Sequence, residues 1–497
     1  MKRALILVLF AAVFANVNCL AQAKKASKDS KPAARLELVT PPVAPANASA
    51  GTAHPSPYNF PGVPYPRIEA GNRVTFHFTA PNAQKVQVGL VTPGSNSLNP
   101  LPVDMVKSPD GVWSYTTSAP QSPGYHNYWM FVDGAAVLDP GTQAFIGYGH
   151  MCNGYEVPEP GVDWYDIKDV PHGHVQIENY FAKTTNSWRR IFVYTPPGYD
   201  ANLKTRYPVF YLQHGGGEDE RVWIEMGRTN VILDNLLAEG KVKPMIVVME
   251  TSATGAPDAA GGRPGIGGAP PAGGAGRGPG AAPGPGAPAG SPGAATTPGA
   301  GAPTAAGYPP GAGRGAAGPP GGAYGQLMVN DLIPWVDKNF RTLPDKDHRA
   351  MAGLSMGGGQ TATVTMANLD KFSYIGLFSG GAQIGGGGRG RGGAAPGGSL
   401  GATPAPAPAA APAALDLKTI YNGQMADPAE FNRKVRVLFM SFGTEPPIEN
   451  AEGLKRHQEQ LIAAGIKNSY VYISPGTTHE WQTWRRSLYT FAQLLFK

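Results

Sequence analysis

The stretch Ala350-Met351-Ala352-Gly353-Leu354-Ser355-Met356-Gly357-Gly358-Gly359-Gln360 constrains this chain more than any other. An apolar run ends in Gly-x-Ser-x-Gly. Small residues on both sides of the serine let a strand turn sharply into a helix without a Cβ clash. The pattern predicts a buried strand ending over Arg349–Ala352, a helix over Gly358–Asn368, and Ser355 exposed at the tip of the turn between them. A glycine-rich turn with an ordinary serine would read the same over so short a pattern. The surrounding chain decides between the two.

Upstream, Pro208–Gln213 is an apolar strand that enters His214-Gly215-Gly216-Gly217. Glycines there let main-chain N–H groups approach a developing alkoxide closely, the HGGG type of half oxyanion hole. Further strands are expected at Arg189–Tyr194, Pro244–Glu250, Tyr374–Ser379, Val435–Phe442 and Tyr470–Ile473. Helices are expected at Thr229–Glu239, Gln326–Asn339, Ala451–Ala464 and Trp484–Leu495. Apolar strands alternating with helices make an α/β fold, a doubly wound parallel sheet covered on both faces, over residues 161–497. His479 follows the last strand, where the base of a serine, acid, histidine order belongs, and would take the Ser355 proton and pass it to a leaving alcohol.

Two blocks interrupt this pattern, 251–323 and 385–414, and hold most of the excess in a chain of 497 residues with 67 glycines and 50 prolines. Their glycines break the strict triplet period of a collagen helix, so both are expected to be disordered inserts. A formal charge of +6 is scattered, with no basic stripe among aromatics, and nucleic acid is excluded as a partner.

Residues 1–23 read as a secretory signal: Lys2 and Arg3, an apolar run too short to span a bilayer, then Ala21-Gln22-Ala23. Asn16-Val17-Asn18 before Cys19 is unlike the small apolar set that lipoprotein processing needs. Cleavage would leave Cys152 alone, so no internal disulfide can form, and the expected product is a secreted or periplasmic protein without a membrane segment. Residues 24–65, rich in Ala, Pro, Ser and Lys, are expected to be a mobile leader. From residue 66 to 160 short alternating segments (Arg73–Pro81, Lys85–Leu90, Gly111–Thr116, Tyr125–Val132, Ala136–Asp139) separated by turn residues predict an all-β sandwich.

The sandwich region resembles the immunoglobulin-like carbohydrate-binding module family 48. The resemblance rests on Val74-Thr75-Phe76 with Ala80-Pro81-Asn82-Ala83, on Gly111-Val112-Trp113-Ser114, on Phe131-Val132-Asp133-Gly134 and on Leu138-Asp139-Pro140. It does not by itself imply sugar binding. Trp113 and Trp129 could stack on a sugar, but aromatics in a small sandwich more often belong to the core.

Residues 175–497 resemble carbohydrate esterase family 1, the group holding feruloyl and acetyl-xylan esterases. The matching stretches are His214–Gly217, Asn230-Val231-Ile232-Leu233-Asp234-Asn235-Leu236, Ala352–Thr361 and His479 with Trp484-Arg485-Arg486. The resemblance implies Ser355 as nucleophile and His479 as base. It places the oxyanion hole on the N–H groups of Met356 and of the glycine loop, Gly215 and Gly216. The family's Gly-Thr-x-Asp pattern reads Gly443-Thr444-Glu445-Pro446 here, with proline in the aspartate's place. Glu445, one residue early, is the expected triad acid, with Glu449 and Glu452 as the other candidates. Trp223, Trp481 and Tyr324 are available to line a cleft for an aryl acid, and Gln360 joins Trp223 and Trp481 as an expected substrate contact.

The expected activity is cofactor-free and metal-free hydrolysis of a carboxylic ester through an acyl-enzyme, on feruloyl or acetyl groups of xylan or on a small ester. Two other readings stay open: a hydrolase that has lost catalysis and binds carbohydrate, and an acyltransferase. The oligomeric state is not legible.

Overall fold

The computed structural model describes residues 35–45, 51–90, 101–254, 322–383, 415–444 and 449–497. Residues 1–34 and the bulk of both inserts lie outside them, as does Glu445. Among the described residues no helix is long and apolar enough to cross a membrane.

The N-terminal part builds two antiparallel sheets, one carrying Val74–Thr79 and Val112–Thr116, the other Val86–Leu90, Gly124–Val132 and His150–Val157. Alternation puts Val74, Phe76 and Trp113 from the first sheet and Val86, Val88, Tyr128, Met130 and Tyr155 from the second into one shared core. Trp113 and Trp129 are both buried, as core aromatics rather than a sugar platform.

The C-terminal part is an eight-stranded sheet: β1 (His174–Ala182), β2 (Ser187–Thr195), β3 (Val209–Gln213), β4 (Ile246–Glu250), β5 (Arg349–Leu354), β6 (Tyr374–Phe378), β7 (Val437–Gly443) and β8 (Ser469–Ser474). Its order is β1-β2-β4-β3-β5-β6-β7-β8, with β2 antiparallel to both its neighbours, β1 and β4, and every other pairing parallel. This is an α/β-hydrolase sheet. Helices α1 (Thr229–Ala238), α2 (Met356–Met366), α3 (Glu449–Ala463) and α4 (Trp481–Ala492) cover it. Strands β3, β4, β5 and β6 are buried at every position and apolar apart from Gln213, Glu250 and Arg349 at their ends, because both faces are covered. On β5, Ala350, Ala352 and Leu354 enter one core while Met351 enters the core on the opposite face.

The core on the α4 side does not stop at the sheet. It takes in Tyr125, Trp129, Phe145, Ile146 and Cys152 from the sandwich together with Trp223, Trp481 and Trp484. All twelve residues of α4 are buried, because the helix is held between the sheet and the sandwich. Arg485 donates to both oxygens of Glu156 at 2.5 and 3.1 Å, and Arg486 donates to Glu159 at 2.7 Å.

The expectation of a mobile leader fails for the residues described. Leu36, Leu38, Ala44 and Tyr58 pack on the same core, and Arg35 donates to the Ser469 carbonyl at 2.6 Å. His54–Pro55 pairs with Arg67–Ile68. Leu36 and Leu38, two apolar residues in a polar stretch, are the anchor points that its overall composition conceals.

At the far end of the sheet, Arg189 reaches Glu250 at 2.5 Å and the carbonyls of Thr251 and Ala253 at 2.5 and 2.7 Å, clamping the start of the first insert. Both side chains are almost fully enclosed. Removing the cation strands a buried carboxylate. Arg189→Met is therefore expected to cost about 3–5 kcal/mol, read as a lower urea midpoint at unchanged slope.

Candidate active site

Strand β5 ends at Leu354 and α2 begins at Met356, leaving Ser355 at φ 53° and ψ −117°. A side-chain-bearing residue rarely adopts positive φ, and tertiary contacts hold it here. The Ser355 N–H donates to the Phe378 carbonyl at 2.7 Å. Three glycines make the crowding possible. A Cβ on Gly353 would lie 2.5 Å from the Gly357 oxygen, one on Gly357 2.2 Å from the His214 oxygen, and one on Gly380 2.0 Å from the Ser355 oxygen. The first two are the glycines of the motif.

His479 sits between β8 and α4, and its Nε2 is 2.9 Å from Ser355 Oγ. Trp484 stands edge-on to the imidazole at 5.1 Å between ring centres and donates its indole N–H to Ser379 Oγ at 3.2 Å. Packing around the ring penalises the imidazolium and lowers its pKa to about 4. One edge of His479 is open to solvent, which works against that penalty. A neutral imidazole accepting the Ser355 proton at Nε2 carries its own hydrogen on Nδ1, and among the described residues nothing accepts it.

The glycine loop lies against the serine, with Met356 Cβ 4.0 Å from where a Gly216 Cβ would be. Its two expected donors are not equivalent. The Gly215 N–H is donated to Glu218 Oε2 at 2.8 Å and is not free to receive an alkoxide. The Gly216 N–H has no partner among the described residues, and Met356 occupies the first position of α2, where an N–H has no intrahelical acceptor. Of the three N–H groups expected to form an oxyanion hole, Gly215's is thus taken up as a brace, while those of Gly216 and Met356 stay unpaired among the described residues.

Three groups that brace this loop escaped the sequence reading. His214 is buried, with Nδ1 2.7 Å from the Gly215 carbonyl and Nε2 accepting the Ser252 N–H at 3.1 Å. Burial pulls its pKa down to about 4, which keeps the ring neutral. Glu218 is also enclosed, and burial lifts its carboxyl to about 8. The third brace comes from the sandwich, where the Gly149 N–H donates to the Gly217 carbonyl at 2.7 Å. An acid just after a glycine cluster is a signal that could have revealed Glu218; no local pattern points to Gly149.

The expected substrate contacts fare less well. Trp223 is 1% exposed, donates its indole N–H to the Gln213 carbonyl at 2.9 Å and meets Trp481 edge to face at 5.4 Å. Trp481 is 2% exposed and meets Trp484 in the same way. Tyr324 is buried with its hydroxyl on Gln213 Oε1. None of these rings offers a face to a ligand; Trp223 and Trp481 pack in the core on the α4 side of the sheet, and Tyr324 in the core on the opposite face. Gln360 is half-buried on α2, with its amide oxygen enclosed and without a partner among the described residues.

Of the acid candidates, Glu452 is exposed on α3 and paired with Arg456 at 3.6 Å. Glu445 and the Glu449 side chain lie outside the described residues. The last described residue of that strand end, Thr444, accepts the Gly476 N–H at 2.7 Å, and a Cβ on Gly443 would lie 2.2 Å from the Thr477 oxygen. The end of β7 is therefore in contact with the loop that carries His479.

A serine on a strained turn, a histidine within hydrogen-bond reach and a glycine loop beside them are the parts of a nucleophilic acyl-transfer site. Residues 302–493 match the family model described as "Esterase: Putative esterase". This segment holds Ser355 and His479. An endo-1,4-beta-xylanase/feruloyl esterase of Xylanibacter ruminicola is 32% identical over 448 residues, which cover 89% of this chain and 47% of that protein. Endo-1,4-beta-xylanase Y of Acetivibrio thermocellus is 42% identical over 93 residues, 18% of this chain and 8% of that one. The chain thus spans less than half the length of either relative. Among solved structures, a feruloyl esterase module from Clostridium thermocellum aligns at 18% identity and TM-score 0.42, covering 68% of this chain and 93% of its own. The enterochelin esterase of Shigella flexneri aligns at 14% identity and TM-score 0.49, covering 85% and 92%.

The glycine contacts carry a paired expectation. Gly357→Ala forces the His214 carbonyl aside and is expected to lower stability by about 1–3 kcal/mol. Gly359→Ala, two residues on in the same helix with nothing within 4 Å of the new Cβ, is expected to raise it by about 0.5–1 kcal/mol. Urea unfolding of the two variants beside the parent checks both signs.

Proposed function

We propose that this chain is a secreted serine carboxylic-ester hydrolase that removes feruloyl or acetyl groups from plant polysaccharide. The observation that carries the reading is the 2.9 Å approach of His479 Nε2 to Ser355 Oγ at the strained turn. The match of residues 302–493 to an esterase model supports the reaction class. The substrate class draws its support from the relative named xylanase/feruloyl esterase, which aligns along 89% of this chain.

In this reading His479 takes the Ser355 proton as Oγ attacks the ester carbonyl. The carbonyl oxygen becomes an alkoxide held by the N–H groups of Gly216 and Met356. Collapse expels the alcohol, which receives the proton from His479, and leaves an acyl-serine. Water, deprotonated by the same imidazole, then attacks the acyl carbon and releases the acid and free Ser355. No metal or cofactor enters these steps. Gln360 remains the proposed substrate contact. We assign residues 66–160 to a module like carbohydrate-binding module family 48 and 161–497 to the esterase domain, with residues 1–23 as the export signal.

The test of this reading is hydrolysis of p-nitrophenyl acetate and methyl ferulate by the parent and by Ser355→Ala. The variant is expected to fold normally and lose turnover of both esters by about a millionfold. Parent-like turnover in the variant would overturn the nucleophile, and the ratio of the two rates in the parent separates acetyl from feruloyl preference.

Glu445 is the proposed acid, accepting the Nδ1 hydrogen of His479; the contact between the end of β7 and the His479 loop supports it. Glu445→Ala is expected to lower kcat by about ten-thousandfold, while Glu449→Ala leaves it close to the parent. The sign of the pH effect follows. A carboxylate beside the imidazole favours its charged form, so it holds the acid limb of kcat/KM at higher pH than packing around the ring alone would set. Removing Glu445 should shift that limb to lower pH, and the reverse pattern for the two variants would move the acid to Glu449.

A further inference from the structure

Glu159 belongs to the sandwich, just past the strand His150–Val157, and its carboxylate is enclosed where the sandwich meets the first turns of α4. Arg486 Nη2 donates to its Oε1 at 2.7 Å, Gln482 Nε2 to its Oε2 at 2.5 Å, and the Ala44 N–H to Oε1 at 3.0 Å. The same guanidinium turns its other nitrogen onto the loop that carries His479. Arg486 Nη1 donates to the Pro475 carbonyl at 2.8 Å and to Ser474 Oγ at 3.2 Å. At the other end of the loop, Glu480 accepts the Thr478 N–H at 3.1 Å and the hydroxyl of Ser122, a sandwich residue, at 3.3 Å. The histidine loop is therefore gripped at both ends by groups that answer to the sandwich.

We propose that Glu159 is a positioning residue for His479, acting through Arg486; the proposal rests on the serine-hydrolase reading above. Arg486 is 2% exposed, and a guanidinium buried so deeply needs an anion nearby. Glu159 supplies that anion and aims the planar fork so that its second arm fixes the Pro475 carbonyl. A loop so held fixes where the imidazole stands relative to Ser355. A displacement of about 1 Å at a reacting group can cost about 100-fold in rate.

The interface contains its own control. Glu156 and Arg485 form a second buried pair between the sandwich and α4, but the Nε of Arg485 goes to the Met226 carbonyl at 2.8 Å, away from the His479 loop. Loss of either pair weakens the interface; only loss of the Glu159 pair frees the loop.

The experiment uses the full chain and measures kcat and KM on p-nitrophenyl acetate, the rate of Ser355 labelling by a fluorophosphonate, and Tm. The variants are Glu159→Ala, Glu159→Gln and Glu156→Gln. Glu159→Ala is expected to lower kcat and labelling together by about 30–100-fold with KM within about threefold of the parent. Glu159→Gln, which still offers an oxygen to Arg486 but no charge, should recover only part of that loss and leave kcat about tenfold below the parent, and Glu156→Gln should lower Tm while leaving kcat within about threefold. If Glu159→Ala does not fold, the two Gln variants decide, with the larger fall in kcat expected at Glu159. Parent-like kcat in the folded Glu159 variants, or equal falls in both Gln variants at similar Tm, overturns the proposal. A parent that neither labels nor hydrolyses sinks the serine reading itself, so the two failures are distinct.

Discussion

The close approach of three main-chain segments around Ser355 is the constraint on which the rest of the structure depends. The glycine loop, the elbow and the turn after β6 meet so tightly that Gly357 faces the His214 oxygen and Gly380 faces the Ser355 oxygen with no room for a Cβ. That crowding needs a sheet beneath it that does not yield. Strands β3, β5 and β6 supply it, apolar on both faces and adjacent in the sheet. Positive φ at Ser355 is a cost that this packing offsets, and the return is a hydroxyl standing clear of the backbone.

Helix α4 transmits the same rigidity to the histidine. Its first turn follows His479 directly, and its side chains divide between three tasks. Trp481 and Trp484 pack towards the sheet, Trp484 also backs the imidazole, and Arg485 and Arg486 reach the sandwich carboxylates. A helix buried on all sides is usually apolar all round. This one carries two arginines because paired carboxylates from the sandwich make their burial tolerable. The sandwich is consequently continuous with the hydrolase core, and its Gly149 reaches the glycine loop itself.

What was legible in the sequence follows from the range of the interaction concerned. The elbow, the glycine loop and the order of strands and helices are local patterns, and each lies within a few residues of its expected place. His479 was legible because its position after the last strand is itself a pattern. Trp223, Trp481 and Tyr324 were misread because an aromatic near a site in sequence looks the same whether it lines a cleft or packs in a core; only burial separates the two. Leu36 and Leu38 were lost in the composition of their surroundings. Gly149 acts across 68 residues of chain and Glu156 and Glu159 across 329 and 327, and no spacing rule connects Glu159 to Arg486.

The electrostatics of the glycine loop tie these threads together. A carboxylate beside an oxyanion hole would oppose the alkoxide that forms there, yet Glu218 follows Gly216 by two residues and accepts the Gly215 N–H. Burial resolves the conflict. With its pKa raised to about 8, Glu218 is mostly a neutral acid at pH 7 and braces Gly215 without adding a negative charge. The sandwich reaches the same loop, since the Gly149 N–H donates to the carbonyl of Gly217, the residue before Glu218. The sandwich thus bears on both halves of the proposed site: Glu159 reaches the loop that bears the base through Arg486, and Gly149 braces the glycine loop.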